Sequence, residues 1–80
     1  MIDETTKERL TVHQDGNASP YIMVPVKQIN AIRELFDAKQ VPYWVDDEAI
    51  SYNGEPEISV VNLRKDVDAS IVQKLLDAAD

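Results

Sequence analysis

The chain is expected to fold as an α+β two-layer sandwich, a four-stranded antiparallel sheet with two helices on one face. Three observations point there. Residues 26–36 and 71–79 carry apolar side chains at three- and four-residue steps, the period of a helix with one buried stripe. Residues 43–63 read as two extended runs around Asn53-Gly54, the strongest two-residue hairpin signal. The resulting order, β-β-α-β-β-α, buries both stripes most economically when the helices share one side of the sheet.

The elements follow in sequence. Met1 to Glu8 is polar and patternless, and is expected to be a flexible N-terminal segment ahead of a single domain over 9–80. Arg9 to His13 alternates, with Leu10 and Val12 on one face and Arg9, Thr11 and His13 on the other, as a half-buried strand does. Asp15-Gly16-Asn17-Ala18-Ser19 is turn chemistry, with Gly16 or Asn17 suited to positive φ. Tyr21 to Val24 is apolar on both faces and predicts a central strand, antiparallel to the first. Pro25 opens the first helix, where its missing N–H costs nothing. Val26, Ile29, Ile32, Leu35 and Phe36 form its stripe, and Pro42 stops it by pushing Val41 out of the helical region.

In the hairpin, an uninterrupted two-residue turn at Asn53-Gly54 would leave Tyr43 and Val45 on the opposite face from Ile50, Val61 and Leu63. A one-residue bulge near Asp46-Asp47 restores them to one face and turns Trp44 outward. Pro56 suits an edge strand or a bulge. Asp66 or Asp68 caps the last helix, and with Asp68 as cap Val67 and Val72 stand where a hydrophobic staple forms. Ile71, Val72, Leu75, Leu76 and Ala79 make its apolar face.

From Tyr21 onward the order β-α-β-β-α resembles a ferredoxin-like domain without its last strand. The first strand, hairpinned onto the second, would fill that place as in a circular permutant. The resemblance lies in element order, covers most of the chain, and implies no function.

Eighty residues suffice for one core, with a stability of order 5 kcal/mol. The 44% hydrophobic and 29% charged residues are those of a globular chain rather than a disordered one. Cysteine is absent, which excludes disulfides, thiolate nucleophiles and zinc fingers. The N-terminus lacks the basic start and apolar run of a secretory signal, and no apolar run approaches the ~20 residues that span a bilayer. A cytoplasmic protein without membrane contact is expected. The net charge of −7 argues against nucleic acid, whose phosphates attract Lys and Arg, and leaves open a basic protein partner; a protein or a second copy is the expected partner.

That charge is uneven. Between Lys39 and Arg64 no Lys or Arg occurs, while Asp46, Asp47, Glu48, Glu55 and Glu57 stand beside Tyr43, Trp44 and Tyr52. Asp46-Asp47-Glu48 lacks the glycine-punctuated loop of a calcium site and reads as solvated acids. His13 has no nucleophile-elbow serine among Ser19, Ser51, Ser59 and Ser70, and reads as an exposed strand histidine. Gly16 and Gly54 stand alone, so no phosphate loop is present. No catalytic, metal or cofactor site is expected.

Trp44 differs: on an uncovered sheet face with Ile58 and Val60 and an acidic rim, it has the chemistry of an interface anchor. The candidate interface is Trp44, Asp46, Asp47, Glu48, Glu57, Ile58 and Val60. The expected function is non-enzymatic: a small interaction or regulatory module acting through this acidic hairpin and sheet face, with a sheet-on-sheet homodimer as one version. The alternatives are an acidic inhibitor or immunity-type protein docking on a basic partner, and a small-metabolite sensor.

Overall fold

A computed structural model describes residues 1–16, 18–46 and 57–79. They form an α+β fold of two helices and a four-stranded antiparallel sheet. The strands are β1 (Val12–His13), β2 (Tyr21–Pro25), β3 (Tyr43–Val45) and β4 (Ile58–Leu63), and the helices are α1 (Ile29–Ala38) and α2 (Ala69–Ala78). The sheet order is β1-β2-β4-β3. Long β2 and β4 are therefore central, pairing from Tyr21 opposite Asn62 to Pro25 opposite Ile58.

Strand alternation decides which side chains meet the helices. Ile22 and Val24 of β2 and Val61 and Leu63 of β4 are fully buried, in one cluster with Ile29, Ile32 and Phe36 of α1 and Val72 and Leu76 of α2. Tyr43 and Val45 are half-buried against the same cluster, while Trp44 between them is 50% exposed. Tyr43 also meets the Phe36 ring edge-on at 5.5 Å, and its hydroxyl donates to Asp37 Oδ1.

Tyr43 stands opposite Leu63 and Val45 opposite Val61, so these four share the inner face as the repaired hairpin register requires. The predicted bulge at Asp46-Asp47, the Asn53-Gly54 turn and the placement of Ile50, Tyr52 and Pro56 lie wholly or partly in residues 47–56, outside the described residues.

Several local expectations are corrected. The first strand is two residues long rather than five, because the backbone before it has other partners. Leu10 N–H donates to the Met1 carbonyl, and the Gln73 side chain of α2 accepts from Val12 N–H and donates to the Leu10 carbonyl, at 2.8 and 3.0 Å. Gln73 thus occupies the edge of β1 where a further strand would otherwise pair. Leu10 nevertheless enters the core as its alternation indicates.

Pro25 ends β2 instead of opening α1, and Val26–Gln28 makes a 3₁₀ turn first. Val26 is still tied to the sheet, its N–H donating to the Glu57 carbonyl, and it sits at the margin of the layer rather than in the core. The helix stops before Pro42 takes effect. Gln40 adopts φ 58°, its N–H donates to the Asp37 carbonyl, and Val41 N–H donates to the Phe36 carbonyl. This is a Schellman ending with glutamine in the left-handed position.

Asp68, not Asp66, caps α2, accepting from Ser70 N–H at 2.9 Å and from the Ser70 hydroxyl at 2.7 Å. Val67 packs on the core beside buried Val72, in keeping with a staple. Ile71, expected on the apolar face, is 56% exposed. The inner arc of α2 centres between Val72 and Leu76, and at 3.6 residues per turn Ile71 lies about 120° around from it.

Residues 1–8 carry their own bonds. Ile2 bridges Arg9, Asp3 N–H donates to the Glu8 carbonyl, and Lys7 turns at φ 64°. Buried Gln28 holds this segment to the 3₁₀ turn: its Oε1 accepts from Glu4 N–H at 2.8 Å and its Nε2 donates to the Ile2 carbonyl at 2.7 Å. Gly16 takes positive φ, 57°, within the turn between β1 and β2.

Candidate functional site

The strand positions that alternate with the core line the opposite face of the sheet. One row crosses all four strands: His13, Tyr21, Asn62 and Trp44 stand opposite one another in turn. The next row sets Met23 opposite Val60, and the one beyond it Pro25 opposite Ile58. Trp44 is 50% and Met23 38% exposed, and Tyr21, Val60 and Ile58 are half-buried. A central strand that is apolar on both sides, as β2 is, therefore has only one of them within the core.

The row is partly organised by its own contacts. His13 stacks on Tyr21 with ring centroids 5.3 Å apart and planes 25° from parallel. Asn62 donates from Nδ2 to Asp46 Oδ1 at 2.7 Å, and Asp46 N–H donates to the Val60 carbonyl. Asp46 thus lies beside the apolar positions, two residues along the chain from Trp44. Glu57 is exposed at the start of β4. Of the candidate interface, Trp44, Asp46, Ile58 and Val60 come together on this face, with Glu57 at its margin. Asp47 and Glu48 lie outside the described residues.

Sequence reasoning missed Tyr21, Met23 and Asn62 as members of the surface. The β2–β4 pairing brings them beside Val60 and Trp44, and only alternation in β2, from Ile22 and Val24, signalled their side.

Chemistry elsewhere is sparse. His13 is engaged in its stack, and Ser59 is buried on the inner face. No group of three or more His, Asp or Glu side chains is placed to hold a metal among the described residues. No described helix is long and apolar enough to cross a membrane.

The carboxyl shifts belong to turns and caps. Burial raises the Asp3 pKa, but the bonds its carboxylate accepts from the Thr5 hydroxyl and from the Thr5 and Thr6 N–H groups outweigh this and hold it below the usual range. The Ser70 hydroxyl and N–H lower Asp68, and the Arg64 guanidinium lowers Asp66. These are structural roles. Comparison with protein-family models, curated proteins and solved structures finds no match to this chain.

Proposed function

We propose that this chain is a non-enzymatic protein-interaction or regulatory module whose working surface is the open sheet face. The observation that carries the reading is Trp44, half exposed on the side of the sheet away from the core, with Met23, Val60, Ile58 and Tyr21 on the same face. Large rigid aromatics bordered by charge are the usual energetic centre of a protein interface. The acidic composition, with no stretch of helix suited to a bilayer among the described residues, fits a cytoplasmic protein that meets other proteins rather than nucleic acid.

The strand order supports reading the fold as a permuted ferredoxin-like domain. β2-α1-β3 is a split unit with β4 inserted between its strands, and β1 lies beside β2 where the last strand of that arrangement would run. In this reading the uncovered face is the face that the two helices leave bare.

Trp44→Ala tests the function. Sedimentation of the purified protein and pull-down from the native lysate are compared for wild type and variant. Association lost in the variant, at an unchanged unfolding midpoint, is the expected result. Identical sedimentation and identical partners for both proteins would remove the reading.

A further inference from the structure

The open face carries charge on both flanks as well as an apolar floor, and this narrows what covers it. On the β3 side Asp46 is exposed one row from Trp44. On the β1 side a shallow hollow joins Met23, Thr11 and His13 to Glu8 and Asp3 of the N-terminal segment. The cation in that hollow, Arg9, reaches across to Asp77 of α2 at 3.4 Å.

Resting on the reading of this face as an interaction surface, we infer that its occupant is a basic amphipathic helix of a partner protein rather than a second copy. Four strands span about 14 Å, which accommodates one helix of about 10 Å diameter. Apolar side chains of that helix lie on Trp44, Met23, Val60 and Tyr21. Its lysine or arginine side chains reach Asp46 on one flank and Glu8 on the other. Trp44 contributes twice, since an indole face attracts a cation and Asp46 stands two residues away to bond it. Two copies packed sheet to sheet would instead bring net charges of −7 together and set like rims against each other.

The full chain is titrated with a synthetic amphipathic peptide of leucine and lysine, about 18 residues or five turns long, and with the same peptide carrying glutamate for lysine. Emission of Trp44, the only tryptophan, and amide shifts report binding. The lysine peptide is expected to move the amides of Tyr21, Met23, Trp44 and Val60, with affinity falling about tenfold or more between about 50 and 300 mM salt. Asp46→Asn with Glu8→Gln should weaken it severalfold at an unchanged unfolding midpoint. Equal binding of the glutamate peptide, or lysine-peptide shifts confined to other surfaces, overturns the inference. Dimerisation through the same amides, strengthened by salt, also overturns it but leaves the face as an interaction surface. A face untouched by either peptide and by self-association removes both.

Discussion

Gln28 and Gln73 are polar residues on elements read from their apolar stripes, yet each closes a seam. Gln28 is buried, and its amide meets both a donor and an acceptor of the N-terminal segment, at Glu4 and Ile2. Truncation leaves those two backbone groups without their partner at about 1 kcal/mol per bond, so Gln28→Ala should cost about 1–2 kcal/mol. A lower urea midpoint at unchanged slope, with faster amide exchange at Glu4, is the expected measurement. Asp68 governs pH response at the same scale. Its folded pKa is lowered by Ser70 and its unfolded pKa is the ordinary 3.8. Its contribution is therefore complete above that value and disappears as pH falls through the depressed folded one. Asp68→Asn keeps an acceptor for the cap but cannot titrate there. Wild type should lose more stability than the variant between about pH 5 and pH 2, and parallel curves would refute this assignment.

The end of α1 shows how an element is terminated by conformation and not only by composition. The Schellman bonds at Phe36 and Asp37 require a left-handed residue, and the chain supplies Gln40 rather than glycine. The side chain of Gln40 is exposed, so little packing is lost when it is removed. Gln40→Gly should stabilise by about 0.5–1 kcal/mol, the left-handed cost of an L-residue less the added freedom of glycine in the unfolded chain. A raised thermal midpoint checks it. The edges of the sheet differ in kind: β1 is shielded by the Gln73 amide, whereas β3 is three residues long and follows Pro42. Short strands and prolines are common protections at a sheet edge.

At the scale of the whole molecule, the buried core and the exposed Trp44 lie on opposite sides of one sheet. Phe36 is fully buried among residues from both helices and the sheet. Phe36→Ala should cost about 3–5 kcal/mol, comparable to the entire stability of a domain this size, and abolish cooperative unfolding. Trp44→Ala should change the unfolding free energy by no more than about 1 kcal/mol, since half of its surface is already in water. Circular dichroism melts of the two variants separate the layers. If Trp44→Ala unfolds the protein as Phe36→Ala does, the indole belongs to the core and the open face is not a free surface.

Two helices, the inward side of β4 and the outward turn of Trp44 were legible in the chain. Periodicity and alternation are local, and each buried Ile, Val or Phe repeats the same message within a few residues. The shortening of β1, the exposure of Val26 and Ile71 and the burial of Gln28 were not legible. They depend on bonds between distant segments: Gln28 meets Glu4 across 24 residues and Gln73 meets Val12 across 61. An amide side chain reads as surface until a backbone group with unfilled hydrogen-bonding capacity is brought to it. Which face of the chain is apolar is thus a property of sequence spacing, whereas which polar groups close its seams, and which residues gather on the bare side of the sheet, is decided only when the strands pair.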